Sequence, residues 1–137
     1  MPHLRKTAIV LLAGVLAAAG CSGMKESYRS SQFETRSFEL VRAIRWGEYE
    51  MAVAFLAKEA EAPDPDIFQA VKISDYKTGA YQISEDAMRI TQPVTFRYYR
   101  TDIYIERSTT VEMVWQYDTD RGDWFLLNGF PSFSSSP

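Results

Sequence analysis

The side chains of this chain that could act as nucleophiles or soft metal ligands are few, and they lie at its N-terminal end. The 137 residues include one cysteine, Cys21, and one histidine, His3. Removal of residues 1–20 would leave 117 residues that keep the cysteine and lose the histidine. A domain of that composition has no internal disulfide, no cysteine–histidine catalytic pair and no histidine-ligated metal. The side chains of such a domain that could still take part in catalysis or binding are carboxylates, tyrosines and arginines.

Acid–base catalysis by a carboxylate beside a tyrosine is the enzymatic alternative that these groups leave open. Asp75 is its candidate base, because strand alternation places Asp75 on the same inward face as Val71 and Ile73. The tyrosines that would stand beside it are Tyr49, Tyr98 and Tyr117. The other inward positions are apolar or aromatic, which favours a non-enzymatic protein without a cofactor.

Two further segments have compositions that are typical of binding sites. Asp118–Asp123 carries three carboxylates around Gly122, but an EF-hand loop needs twelve residues and a closing glutamate. We therefore interpret it as a solvated hairpin turn and predict no metal site. Phe96–Arg100 interleaves basic and aromatic residues, yet alternation sends Phe96 and Tyr98 to one face of a strand and Arg97 and Tyr99 to the other. The chain after residue 20 holds 13 basic and 18 acidic side chains, so nucleic acid is not an expected partner.

Two helices are predicted to precede the strands. Ser31 and Glu34 fit a capping box at the start of the first helix, and apolar residues then recur at helical spacing up to Ile44. Trp46-Gly47 predicts its end, with the glycine at the C′ position. A second helix is predicted from Glu48, and Ala62–Asp66, which holds two prolines, is predicted to end helical structure.

The rest of the chain has the alternation of β-strands. Strands are predicted from Val71, over Met88–Tyr98, over Ile103–Tyr117 and over Trp124–Leu127, which gives a four-stranded antiparallel meander. A turn centred on Thr101-Asp102 would pair Met88 with Trp115, Ile90 with Met113, and Arg97 with Glu106. One residue departs from the pattern, since Arg107 falls on the inward face. Either a β-bulge near Arg107–Thr109 turns it outward, or Arg107 lines a pocket.

The N-terminal segment has the features of an export signal. Arg5 and Lys6 precede an apolar run, Ala8–Ala19. Twelve helical residues rise about 18 Å, which is short of the roughly 30 Å hydrocarbon core of a bilayer. Residues 1–20 are therefore predicted to be a signal peptide rather than a membrane span.

The residues around the cysteine, Leu16–Cys21, resemble the lipobox of bacterial lipoproteins, with alanine at position 18 where that family usually has leucine. The resemblance implies cleavage between Gly20 and Cys21 and attachment of acyl chains to Cys21, and two or more chains anchor stably. In Gram-negative lipoproteins an aspartate after the cysteine signals inner-membrane retention, so Ser22 implies the outer membrane, facing the periplasm. The alternative is ordinary cleavage in the alanine-rich stretch, which would leave a free thiol.

The order of elements in residues 35–130 resembles the NTF2-like (cystatin-like) α+β fold. The residues that carry this resemblance are Trp46–Tyr49, Ala52–Leu56, Trp115 and Trp124. It implies two N-terminal helices on a curved four-stranded antiparallel sheet, forming a cone that holds a small ligand in many relatives. The residues expected to line such a pocket are Trp46, Tyr49, Asp75, Tyr98, Arg107, Trp115 and Tyr117.

The predicted organisation is a signal peptide at 1–20, a lipidated tether at 21–30, one α+β domain at 31–130 and a flexible tail at 131–137. The favoured function is a lipid-anchored, non-enzymatic binding module in assembly or maintenance of the cell envelope, with a protein or peptide as partner. Two alternatives remain: a carrier of a small apolar ligand in the cone, and a histidine-free isomerase or hydratase that uses Asp75.

Overall fold

The structure, a computed structural model, describes residues 2–133, with side chains from residue 23 onward. The chain divides into two units, residues 1–32 and 33–137. The first unit is the N-terminal part of helix α1, Pro2–Arg45, and α1 includes residues 23–30, part of the predicted tether. Among the described residues, no helix is long and apolar enough to cross a membrane. The Cys21 side chain and the surroundings of the Gly20–Cys21 bond lie outside what the structure describes, so signal cleavage and lipidation stay predictions.

The C-terminal part of α1 lies in the second unit and is amphipathic. Phe33, Leu40, Val41 and Ile44 are buried at helical spacing. The helix ends as predicted at Gly47, which has φ +69°. There the Glu48 N–H donates to Ala43 O and the Gly47 N–H to Ile44 O, which is a Schellman motif.

The predicted N-cap at Ser31 is wrong, because α1 is helical through this position. Lys25, Glu26 and Arg29, which precede it, are good helix formers that give the helix no reason to start at Ser31. The predicted second helix is also shorter than expected. It is α2, Tyr49–Val53, after which the chain becomes irregular.

A third helix, α3, Pro65–Gln69, begins where the sequence predicted that helical structure ends. The side chain of Asp64 accepts a hydrogen bond from Asp66 N at 2.9 Å, and Pro65 occupies the first turn. Proline lacks the N–H that the first helical turn leaves unpaired, so Asp-Pro starts a helix as readily as it ends one.

The strands form one antiparallel sheet of five members, so the fold is α+β. The strands are β1, Val71–Thr78; β2, Gln82–Ile83; β3, Arg89–Arg100; β4, Arg107–Asp118; and β5, Asp123–Asn128. Their order is β1-β3-β4-β5, and β2 also pairs with β3. The predicted four strands are present, and the fifth, β2, was not predicted. Gly79 separates β1 from β2, so both lie along the same side of β3.

The register of β3 and β4 differs by two residues from the prediction. Ile90 lies opposite Trp115, and Arg97 lies opposite Ser108. The predicted turn at Thr101-Asp102 is instead a six-residue loop, residues 101–106, and Ile103 and Ile105 are exposed in it. A shift by two preserves which side chains face inward. Arg97 still reaches Glu106, as its Nε donates to Oε1 at 3.1 Å.

The predicted bulge at Arg107–Thr109 is wrong, because pairing continues without a shift from Tyr98 opposite Arg107. Arg107 is the first residue of β4 and half-buried. The shifts lie elsewhere, between Ile73 and Asp75 and between Val114 and Trp115. At the first of these, Ser74 is the extra residue, and it reverses the inward and outward positions that follow it.

The core lies between the C-terminal part of α1 and one face of the sheet. Ile90, Val94, Met113, Trp115 and Trp124 are fully buried on that face. The segment after β5 closes its end: the Phe133 ring lies 5.9 Å from the ring of Phe96 and 4.9 Å from that of Tyr98. Pro131 and Phe133 are buried, so a flexible tail beginning at residue 131 is wrong for 131–133. An aromatic side chain gains more by covering apolar strand residues than by staying in water.

The segment Phe55–Ala57, here called the strap, covers the outer edge of β5. Leu126 N donates to Phe55 O at 2.8 Å, and Ala57 N donates to Leu126 O at 2.9 Å. Leu56 forms an isolated parallel bridge with Leu126. The strap therefore satisfies backbone groups that an edge strand would otherwise leave open.

Candidate functional site

The residues predicted to line a pocket do not come together in one cavity. Trp115 is fully buried and Tyr98 nearly so. The Phe33 ring lies 5.8 Å from the Trp115 ring, and Phe133 covers Tyr98. Trp46 is 67 % exposed, with the Arg45 guanidinium 5.6 Å above its ring. Trp115 and Tyr98 therefore belong to the core, and Trp46 to the surface.

Asp75, the candidate base, is exposed on the outer side of β1. The bulge at Ser74 is the cause, since the extra residue turns Asp75 outward and brings Tyr76 against the core. The isomerase or hydratase alternative required Asp75 in a pocket beside a tyrosine hydroxyl. That alternative thus loses the residue that motivated it.

The remaining predicted pocket residues occupy separate places. Tyr117 is half-buried, with its ring 5.3 Å from that of Trp124. Tyr49 donates a hydrogen bond from its hydroxyl to Pro63 O at 2.7 Å. Arg107 starts β4 at the opposite end of that strand from Tyr117.

A different concavity lies beside α3 and the end of β5. It is an open groove of about 330 Å³, here called the α3 groove. Its walls are residues 60–64, α3, Leu56 of the strap, and residues 126–133. Elements from the middle and the C-terminal end of the chain thus meet there, next to the covered edge of β5.

Aromatic packing gives the α3 groove its shape. The Phe68 ring lies 5.4 Å from the Tyr49 ring in an edge-on arrangement and 6.1 Å from the Phe130 ring. Phe68 is buried, whereas Ile67, the preceding residue, is 45 % exposed on the groove wall. Because the two residues are consecutive in a helix, their side chains point about 100° apart. Phe68 therefore anchors α3 to the core, and Ile67 faces the groove.

The charge of the α3 groove has one sign. Glu61 and Asp64 are the charged residues among those that line it, and both are exposed. Leu56, Ile67 and Phe130 supply apolar surface between them. A segment with an apolar side chain next to a basic one matches this combination.

Arg36 supports the strap from the side of α1. Its guanidinium lies 4.2 Å from the Phe55 ring and 5.0 Å from the Phe125 ring. Its Nε donates to Trp124 O at 3.1 Å and lies 3.4 Å from Asp123 Oδ2. Burial lowers the pKa of Arg36, and the charge of Asp123 opposes that effect. These contacts fix the position of Phe55 and hence of Leu56, which lines the α3 groove.

The Asp118–Asp123 segment forms the β4–β5 turn, as predicted. Asp118 Oδ1 accepts from the N–H groups of Asp120 and Arg121 at 3.0 Å, and Oδ2 accepts from Arg121 Nε at 2.7 Å. Hydrogen bonds from Arg121 lower the pKa of Asp118. Within the described residues, no cluster of three or more acidic, histidine or cysteine side chains is arranged to hold a metal ion.

The residues that build the α3 groove were not predicted from the sequence. Asp64-Pro65 was a usable signal, because an N-cap residue before a proline is typical of a helix start. Phe130 and Phe133 were a second signal, since two aromatic residues so close together favour packing over a free tail. Neither signal indicates that these two segments meet.

Comparison with known proteins does not assign the chain to a family. No family model matches it, and no curated protein shows significant sequence similarity.

Proposed function

We propose that this protein is a lipid-anchored lipoprotein of the cell envelope, attached through Cys21 to the outer membrane and facing the periplasm. Its domain acts there as a non-enzymatic binding module in envelope assembly or maintenance. The lipobox-like residues Leu16–Cys21 support the anchor. The α3 groove supports the binding role.

The α3 groove is the single observation on which the binding role rests. A groove with exposed Ile67 and half-buried Leu56 and Phe130 on its walls offers apolar area that a partner can bury. We assign it to an apolar segment of an envelope protein or peptide. Apolar side chains that enter such a groove are the usual anchors of peptide recognition.

We also propose that the domain is a variant of the NTF2-like (cystatin-like) fold. The C-terminal part of α1, packed on one face of an antiparallel sheet in meander order, supports this assignment. The variant would differ in one respect that bears on function. Phe133 packs over the end of the sheet at Phe96 and Tyr98. The α3 groove, to which we assign binding, lies outside the core between the helix and the sheet.

A second candidate function is carriage of a small apolar ligand in the α3 groove rather than in a cone. The volume of about 330 Å³ favours it, because small-molecule sites occupy roughly 300–1,000 Å³. Mass spectrometry of organic extracts from the purified protein tests this alternative. A stoichiometric apolar compound, lost on Ile67→Arg, would establish the carrier in place of the peptide-binding module.

The anchor is tested by the Cys21→Ser variant of the full chain. The parent protein should require detergent for extraction from membranes, and its N-terminal peptide should carry the mass of acyl chains. Cys21→Ser should lack that mass. A parent protein with an unmodified cysteine would overturn the anchor and leave the groove proposal standing.

The groove is tested by placing a photo-crosslinking residue at Asn128, which lines it and is exposed. In living cells we expect an adduct with one envelope protein. Ile67→Arg should abolish that adduct, because a long charged side chain fills the groove. Met51→Arg, at a residue that is 53 % exposed outside the groove, is the matched control and should keep it. An adduct that survives Ile67→Arg would refute the groove as the binding site.

A further inference from the structure

The loop between the two longest strands presents three consecutive exposed apolar side chains, here called the hairpin tip. Ile103 is 44 % exposed, Tyr104 is 76 % exposed, and Ile105 is 59 % exposed. The tip belongs to the loop 101–106, which joins β3 to β4. The α3 groove and the signal segment are separate from it in the chain.

Backbone hydrogen bonds and a ring contact connect the hairpin tip to the end of β3. The N–H groups of Ile103 and Tyr104 both donate to Arg100 O, at 3.3 and 3.0 Å. Tyr104 has φ +58°, a left-handed conformation that non-glycine residues rarely adopt. The ring of Tyr104 stacks on that of Tyr99 at 6.0 Å. The apolar side chains are therefore exposed by a structured loop.

Arginines stand at the base of the hairpin tip. Arg100 pairs with Asp102 at 2.8 Å, and Arg97 pairs with Glu106. With Arg107, residues 97–107 carry a net charge of +1, since three arginines outnumber two carboxylates. The chain after residue 20 has 13 basic and 18 acidic side chains, so the strand ends at the base of the tip differ in sign from the chain as a whole, while both carboxylates belong to the loop itself.

We propose that the hairpin tip docks into the interface of an anionic lipid bilayer. A protruding loop of isoleucine and tyrosine suits the boundary between headgroups and acyl chains, where tyrosine places its ring in the apolar region and its hydroxyl in the polar one. Arginines behind the apolar residues then lie at the depth of the anionic headgroups. The rest of the chain after residue 20, with 10 basic and 16 acidic side chains, is repelled by the same surface.

This proposal is independent of the groove, and it adds to the lipid anchor a second contact that orients the domain. The lipid anchor holds the domain near the bilayer, and a loop contact on the same molecule acts together with it. The tip therefore determines which faces of the domain point away from the membrane.

The test uses the full chain with Cys21→Ser, so that one introduced cysteine is the only labelling site. An environment-sensitive fluorophore is attached at Ile103→Cys in one variant and at Glu85→Cys in a matched control. Glu85 is exposed in the turn before β3, at the opposite end of that strand, about 36 Å from the tip at the usual rise per residue. Both proteins are mixed with vesicles of phosphatidylcholine alone or with phosphatidylglycerol added.

With phosphatidylglycerol vesicles, we expect blue-shifted and severalfold brighter emission from the label at position 103, and quenching by lipids that carry a nitroxide on the acyl chain. The label at position 85 should not change. Adding Tyr104→Asn and Ile105→Ser should remove the response at position 103, with the circular dichroism spectrum unchanged, because asparagine tolerates the left-handed conformation.

Three results would overturn the proposal. The first is an unchanged label at position 103, or equal responses at positions 103 and 85. The second is an equal response in vesicles without phosphatidylglycerol, which refutes the anionic surface. The third is a concentration-dependent blue shift without vesicles, which would assign the tip to a second copy of the chain. None of these results bears on the groove, because Asn128 crosslinking is measured separately.

Discussion

The hydroxyl of Ser37 donates a hydrogen bond to Gln92 Oε1 at 2.8 Å, and both residues are buried. Gln92 Nε2 in turn donates to Gly79 O at 3.0 Å. This chain of contacts joins helix α1, the central strand β3 and the break between β1 and β2. A buried amide whose oxygen and nitrogen are both bonded fixes how the helix is placed along the sheet.

We expect Gln92→Met to lower the free energy of unfolding by about 1–3 kcal/mol, because it leaves Ser37 Oγ and Gly79 O without their partner. Ser37→Ala should lower it by about 1 kcal/mol. The double variant should lose less than the sum, since each change removes part of the same network. Urea unfolding measures all three. Thr95→Ala, which breaks the exposed contact with Thr110, is the control, and additive losses would contradict the network.

Gly129→Ala should be far more damaging than Gly47→Ala, although both glycines have positive φ. At position 129 a Cβ atom would collide with Glu112 O and lie 2.8 Å from Met113 Cα, both in the backbone. At Gly47 the Cβ would enter open space. We expect a loss of about 1–2 kcal/mol at position 47 and about 4 kcal/mol or more at position 129. Thermal unfolding measures both losses. Equal losses at the two positions would show that the positive φ alone determines the cost of the substitution.

Trp115→Phe should cost less stability than Trp124→Phe. Both indoles are fully buried, but the Nε1 of Trp115 has no hydrogen-bond partner in the described structure. The smaller ring loses packing at either position, while at 115 it also removes an unsatisfied donor. A difference of about 1 kcal/mol in the free energy of unfolding is expected. A larger loss at position 115 would indicate a partner for its N–H, such as a buried water.

Asp118→Asn should remove part of the acid sensitivity of the domain. Hydrogen bonds from Arg121 hold the pKa of the folded Asp118 below its ordinary value. The carboxylate therefore stabilises the fold above the pKa of the unfolded chain, and that contribution is lost as the pH falls through the folded value. Asp118→Asn should be less stable than the parent at neutral pH and indistinguishable from it in strong acid. Asp120→Asn, in the same turn, is the charge-matched control.

The inward and outward faces of β3 and β4 were predictable from the sequence, whereas the register was not. Ile103 and Ile105 continue the odd-numbered apolar pattern of β4, so alternation cannot reveal that they lie in a loop. The bulge at Ser74 is hidden in the same way, because Val71, Ile73 and Asp75 alternate regularly in sequence while the backbone does not. The periodicity of side chains shows which residues share a face of the sheet. The register between two strands depends instead on loop length and bulges, which the amino-acid composition specifies only weakly.

The end of α1 was predictable because Gly47 acts locally, through its own φ and the last turn of the helix. The α3 groove was not, because it forms where residues 60–68 meet residues 126–133. Asp64-Pro65 predicts a helix start at most, and nothing local indicates that Phe130 packs on Phe68. Long-range packing of this kind lies beyond propensity and patterning.

The strap along β5 has a consequence for how copies of this protein coexist at high density. The two backbone groups of Leu126 that face outward from the sheet are already bonded to Phe55 and Ala57, so a strand from another molecule cannot add there. The opposite edge is interrupted at Gly79, bulged at Ser74 and lined by exposed Lys72, Asp75 and Lys77. Breaks, bulges and charges of this kind resist intermolecular strand pairing. Both edges of the sheet therefore carry features that disfavour strand addition by a second copy of the chain.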